Sequence, residues 1–557
     1  MTTPVYADTL LHNGTVWTAD AAGTCHQAIA LHDGRIMATG TDDELLSLVG
    51  PETCSINLDG RVVMPGLIDS HMHPYWGAKL LAGFSLDYQS LTTEETVARI
   101  QAHLETDDTS DDVWLLVRGW LRIGGSDVSR YDLDRLTTAR PVMLFSNDCH
   151  FIALNSRGLD KLGVNKETAD PPDGNILRDT SGEPTGIIED APAMRYYDQV
   201  SRLSPQEGAR VLAKAQQTLH RQGVTTVMDA RAEPEALEAF HHLWHSGELT
   251  LRVHAAAEIT PDEVKKPGNA NAAVSRIVAL RQRYTTPGQL EPAPGITLNH
   301  AKFFIDGMLP NRTAYLREPY SDAPETRAHS YFTERQLTLL CLLCARAGLY
   351  PHMHIIADGA AGLALDALEI MRILEPDSPV RPALAHNDLM APHQYARFAE
   401  LGVVANLSWQ WAGLTDELMA AYQRLLGETR INGLETHGKF FDSGVTVAYN
   451  SDWPIDPPDE WFNFQVGLTR RLSPDHPRLG SDRDLTVNEV LRAATINAAY
   501  ALGREDVTGS LEPGKFADLI VLDRNPFTTP PDAFGQIKVL LTMVGGKVVW
   551  RADTLPF

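Results

Sequence analysis

Eight short apolar runs alternating with helical segments, turn-rich strands at both chain ends and one long stretch between the first two runs together predict an α/β fold. The predicted architecture is a (β/α)8 TIM barrel with a composite β-sandwich domain from both termini and an inserted subdomain. At 557 residues the chain exceeds what one core organises, so two or three structural units are expected.

The first sixty residues read as short strands joined by tight turns, with Asn13-Gly14 and Asp33-Gly34 each flanked by alternating apolar positions. The C-terminal end repeats the style, with a strand over 517–522 and a hairpin over 539–550 about Gly545-Gly546. Neither end has enough strands for a stable sandwich alone, so 1–65 and 508–557 are expected to pair into one domain. Between them lie the candidate barrel strands 66–73, 224–229, 251–257, 296–305, 350–355, 382–386, 403–407 and 445–450. Ser204-Pro205 with Glu207 opens a helix that Gly223 stops, and Thr486 with Glu489 opens another that runs to about Leu502 and ends at Gly503. The barrel is thus assigned to 66–82 plus 204–507. The stretch 83–203 is too long for one crossover and carries strand-like segments at 113–117 and 141–146, so it reads as an insertion covering the barrel mouth.

Composition is ordinary for a globular protein, 43% hydrophobic and 22% charged. Asp plus Glu (72) outnumber Lys plus Arg (48), and the resulting −24 field repels phosphate backbones and anionic lipid heads. Nucleic acid and membrane partners are therefore set aside in favour of a small-molecule substrate. No run approaches the ~20 apolar residues of a membrane span, residues 1–10 carry no export signal, and the five cysteines are too few and irregular for a disulfide framework. A cytoplasmic protein is expected, with homodimerisation a base-rate expectation. Cys341 and Cys344 form a CxxC pair inside an apolar helical run, which reads as core packing.

The chemistry is concentrated at strand ends. His71 and His73 flank Met72 at the end of the first run, where period-two geometry puts both imidazoles on one face, about 7 Å apart at the backbone. His354 ends the fifth run, His386 the sixth, and Asp452 follows the eighth, so all project into one mouth of a barrel. Histidines with a carboxylate are the donor set of a borderline ion such as Zn²⁺. Lys302 lies near the end of the fourth run. Among cations its amine should lose its proton and could take up CO2 as a carbamate, an anionic bridge between two metals; pairing with Asp306 is the alternative, and His300, two residues earlier on the same face, is a rival ligand.

The segment Val63-Met64-Pro65-Gly66-Leu67-Ile68-Asp69-Ser70-His71-Met72-His73 resembles the first-strand signature of the amidohydrolase superfamily, and Gly509 to Leu519 resembles its return into the sheet domain. Within that superfamily the chain resembles the YtcJ-like group, amidohydrolase family 3, which includes N-substituted formamide deformylases. The shared features are Lys302 to Gly307, Arg312-Thr313-Ala314, His354 with Asp358, Ser451-Asp452 and the segment 141–155 with His150. The resemblance implies that His71 and His73 bind a buried metal, His354 and His386 a second, that carbamylated Lys302 bridges them, and that Asp452 is both ligand and acid/base. It also implies that His150 contacts the substrate carbonyl. The chain departs from the group at Ala357-Asp358-Gly359-Ala360 and at Ala385, where a glutamate is common.

Trp76, Trp411 and Trp453 at strand ends suggest an apolar substrate pocket, and Arg312 either orients a substrate carboxylate or pairs with an acid. Bound metal brings the pKa of water down to about 7 and supplies hydroxide at neutral pH. The expected function is a Zn²⁺-dependent hydrolase, with one or two ions, cleaving a non-peptide C–N bond of a small N-acyl or N-formyl amine. A deaminase of an amidine-type ring or a lactone or carbamate hydrolase is the alternative, with a catalytically silent binding protein behind both.

Overall fold

The structure, a computed structural model, describes residues 5–87, 89–121, 127–146, 151–171, 174–189, 191–266 and 268–553. The chain divides into two compact units, one formed by Met1–Pro74 with Gln216–Phe557 and the other by Tyr75–Ala215.

In the first unit eight parallel strands form one sheet in unbroken order: β1 (Leu67–Met72), β2 (Val224–Asp229), β3 (Arg252–Glu258), β4 (Ile296–Phe304), β5 (Tyr350–Ile355), β6 (Ala383–His386), β7 (Val404–Leu407) and β8 (Val447–Tyr449). The predicted barrel is therefore present, each strand within a few residues of its expected bounds. The last strand meets the first through side-chain and loop bonds: Ser70 Oγ donates to the Tyr449 carbonyl at 2.7 Å and the Asp452 amide to the His71 carbonyl at 3.1 Å. Almost every strand residue is buried, which is why these runs are apolar throughout rather than alternating. The β1 entry requires glycine, because a Cβ on Gly66 would lie 2.3 Å from Thr225 Cγ2 on β2.

The helix Pro205–Gln222 begins as expected, with Ser204 Oγ donating to Glu207 Oε2 at 2.7 Å and Gly223 following at φ 94°. The predicted single helix after Thr486 is instead two, Val487–Ala493 and Ile496–Ala501. The break has a tertiary cause: the Ala494 carbonyl accepts the Ile68 amide of β1 at 2.8 Å, which takes it out of the helical ladder.

Two sheets from the chain ends complete this unit. One has four strands, all N-terminal (Arg35–Gly40, Ala28–His32, Thr9–His12 and Cys54–Asn57). The other has six and mixes the termini, with Val62–Pro65 pairing antiparallel to Leu519–Leu522. Asp33-Gly34 and Gly545-Gly546 are hairpin turns as predicted, both residues of each at positive φ. Asn13-Gly14 joins two short strands, as expected, but Thr9–His12 and Thr15–Trp17 belong to different sheets, so the turn is the corner where the chain switches layer.

The second unit holds a six-stranded sheet in the order Ile176–Arg178, Pro184–Glu189, Phe151–Leu154, Val142–Ser146, Leu115–Trp120, Phe84–Ser85. Two apolar clusters cover its faces, one around Ile100, Val117 and Leu144, the other around Phe145, Ile188 and Tyr197. Elsewhere, Cys341 and Cys344 are buried in the helix Glu334–Ala347, where burial pushes the Cys344 thiol up to about 12, in keeping with packing.

Candidate metal centre

The ends of β1, β5 and β6 and the loop after β8 bring the imidazoles and the carboxylate together. His71 Nε2 lies 3.5 Å and His73 Nε2 3.4 Å from Asp452 Oδ1. One ligand atom each from His71, His386 and Asp452 falls within 4.8 Å of the others, and all three residues are buried. The His354 ring stands 4.6 Å from that of His386, and Lys302 Nζ lies 3.4 Å from His71 Nε2. Parallel register sets this up, pairing Lys302 with His352 and Ile355 with His386 across the ladder. Asp69 anchors the arrangement by accepting the amides of His71 and Ser451, both at 3.1 Å, which ties β1 to the Asp452 loop.

Burial sets the electrostatics. It holds the imidazoles of His71, His352 and His386 well below the ordinary histidine range and His354 at about 3, so these side chains are neutral and offer lone pairs. It also pulls Lys302 down to about 7. The residues fit a divalent ion on a direct observation: Asp452 Oδ1 and His386 Nδ1 are buried and have no hydrogen-bond partner. Imidazole nitrogens and a carboxylate oxygen left in that state are the donors a zinc-like ion satisfies. The backbone is strained at the same place, with His386, Asn387 and Asp452 at φ 78°, 62° and 51°. Non-glycine residues are held so only where the surrounding structure fixes them, typically at functional sites.

Lys302 does not pair with Asp306, whose carboxylate instead accepts the amides of Tyr315, Ile356 and Ala357 at 2.9–3.1 Å. His300 packs edge-on against Tyr350 (5.2 Å), and Lys302 is the residue of the pair that reaches His71. Trp411 stacks on His386 with ring centres 5.0 Å apart and donates Nε1 to Asp456 at 2.8 Å. Trp453 is buried next to Asp452, and Trp409 is buried in the core against Tyr449 and Phe464. Arg312 is ion-paired with Asp322 at 2.5 Å. Trp76 belongs to the second unit, where it packs against Phe145, and His150 lies outside the described residues.

Two residues at this end of the barrel were not singled out from the sequence. His352 Nε2 lies 2.7 Å from His71 Nδ1, the nitrogen opposite the one that faces Asp452, so it orients that ring. Its signal was available, since His352-Met353-His354 repeats the HxH spacing of β1. Asp229 ends β2, fully buried, its carboxyl pushed up to about 6 by burial and drawn back by His73.

A family model described as the amidohydrolase family matches residues 55–550. The chain belongs to the amidohydrolase family. As such it is a hydrolase acting on carbon–nitrogen bonds other than peptide bonds. This amidohydrolase is 27% identical to YtcJ of Bacillus subtilis, named as an amidohydrolase, over 97% of this chain and 99% of the relative. It is 28% identical to the N-substituted formamide deformylase of Arthrobacter pascens over 97% of each chain. In fold it resembles the crystal structure of an uncharacterized metal-dependent hydrolase from Pyrococcus horikoshii OT3, at a TM-score of 0.76 and 22% identity over 94% of this chain and 99% of that one. No described helix is long and apolar enough to cross a membrane.

Proposed function

We propose that this amidohydrolase cleaves the amide bond of a small N-acyl or N-formyl amine bearing an aromatic or alkyl substituent, with Zn²⁺ as its ion. The observation that carries the reading is the convergence of His71, His386 and Asp452 ligand atoms within 4.8 Å, buried and in part without hydrogen-bond partners. The full-length similarity to an N-substituted formamide deformylase supports the substrate class. A bound divalent ion supplies a lowered pKa for water and a Lewis acid for the scissile carbonyl. His71, His73 and Asp452 would hold the first ion, and His386, whose ligand atom lies within 4.8 Å of those of His71 and Asp452, would hold the second with His354. Lys302 as a carbamate would bridge the two.

Asp452 takes one proton from the attacking water and returns it to the leaving nitrogen. The water oxygen bonds to the carbonyl carbon, the C–N bond breaks, the amine departs carrying the proton from Asp452, and the second water proton stays on the carboxylic acid product, which ionises once released. Trp411, stacked on His386, supplies flat apolar surface for the substituent, whereas Trp453 is buried beside Asp452 and offers it none. The test is incubation of zinc-loaded protein with formanilide and N-alkylformamides, with detection of free amine. Amine release supports the proposal. Ammonia release from a cyclic amidine with inert formamides would instead make the enzyme a deaminase, and inertness of the zinc-loaded protein toward all of them would overturn the catalytic reading.

A further inference from the structure

The opposite end of the barrel, where β3 and β4 begin, contains a cavity of ≈30 Å³ lined by Arg252, His254, Thr297, Arg504 and Phe516 among others. At ~15 Å³ per water-sized occupant it holds about two such spheres. Its charges do not balance. Arg252 is fully matched by Asp518, to which it donates twice, at 2.7 and 2.9 Å; Asp518 also accepts from Thr508 Oγ1 (2.9 Å) and the Gly545 amide (2.8 Å), so it has no capacity left. Arg504 donates to two neutral oxygens, Gln289 Oε1 at 2.7 Å and Thr297 Oγ1 at 3.1 Å, and takes part in no ion pair among the described residues. His254, only 3% exposed, presents an Nδ1 with no hydrogen-bond partner. Phe516, stacked under the Arg252 guanidinium at 4.2 Å, makes one wall apolar.

We infer that this cavity is a binding site for one small monovalent anion, of halide, nitrate or formate size, held between the Arg504 guanidinium and the His254 ring N–H. A half-buried guanidinium without a counter-ion beside an orphaned imidazole nitrogen is the arrangement an anion completes, and the small volume suits a small one. Burial and the neighbouring Arg252 both push the Arg504 guanidinium below its usual range, the strain an anion relieves. Burial likewise keeps His254 neutral, so its single ring proton can sit on Nδ1 and be donated. None of these residues belongs to the candidate metal centre, so the site stands or falls independently of the proposed function.

The experiment soaks crystals of the full-length protein in bromide and, in parallel, follows thermal unfolding as bromide replaces gluconate at constant ionic strength. An anomalous peak in hydrogen-bonding reach of Arg504 and His254, with a saturable Tm rise of about 1–2 °C that Arg504→Gln abolishes, is the expected result. Ordered water with no anomalous signal, or an equal Tm response in Arg504→Gln, would overturn the assignment. If that variant does not fold, His254→Gln provides the same comparison, with a weakened anomalous peak expected and an unchanged one contradicting the site.

Discussion

Both ends of the barrel bury polar side chains, and the two treat some of them differently. Where the strands begin, His220 is satisfied at both nitrogens, by the Val224 carbonyl at 2.9 Å and Thr250 Oγ1 at 2.8 Å, and Arg252 forks onto Asp518. Where the strands end, Asp452 Oδ1 and His386 Nδ1 are orphaned and three residues hold positive φ. Buried polar atoms without partners and a left-handed backbone at non-glycine residues, found together, point to a group outside the chain that completes them. The contrast is between polar groups such as His220 and Arg252, whose partners lie within the chain, and the His386 and Asp452 atoms of the candidate metal centre, whose partners do not.

Substitutions at the two ends should therefore fail differently. Asp452→Asn is expected to lower kcat by about 10⁴-fold, the upper range for a positioned acid/base, since it also weakens ion binding; unfolding midpoints of the ion-free protein should barely move. Arg252→Met should do the reverse. Leaving the buried Asp518 carboxylate unpaired costs about 3–5 kcal/mol, read from denaturant unfolding, with turnover per folded molecule retained. A stability loss in Asp452→Asn as large as that in Arg252→Met would break the comparison.

A smaller effect follows from His220. Its folded pKa is lowered to about 4 by burial, against 6.5 when unfolded, so between those values the unfolded chain binds more protons than the folded one. Stability should fall as pH drops from 6.5 to 4, by about 3 kcal/mol from this residue, and level off below. His220→Gln should flatten that part of the pH dependence of the denaturation midpoint, and an unchanged slope would show that His220 is not the group responsible. The smallest change expected is in His352→Ala, which frees the His71 ring and should weaken zinc affinity about 10- to 100-fold by competition with a chelator. His352→Gln, whose amide oxygen can still accept from His71 Nδ1, should recover part of that loss.

The barrel was readable because its strands are buried on both faces, so each announces itself as a short apolar run whatever its neighbours. The candidate ligands stood out for a related reason: His71, His73, His354 and His386 are polar interruptions at the ends of such runs, and the structure brings His71 and His386 to within reach of Asp452. The Asn13-Gly14 turn was legible but not the sheets it links, because a turn signal is local, whereas the sheet that receives the next strand is decided by Val62–Pro65 some fifty residues later. The break at Ala494 was hidden because the Ile68 amide that causes it arrives from the far end of the chain. His352 was passed over although it repeats the HxH spacing, since its role depends on β5 lying so that its ring meets the back of His71, which is a matter of barrel closure rather than strand periodicity.

The account rests on the strand ends gripping an ion. Equilibrium dialysis of the full-length protein against zinc, with metal analysis of the wild type and of a His71→Asn, His386→Asn, Asp452→Asn triple variant shown to be folded by circular dichroism, measures this directly. At least one ion per wild-type chain and a clear loss in the variant is the expected result; equal zinc in both, or none in either, would contradict it.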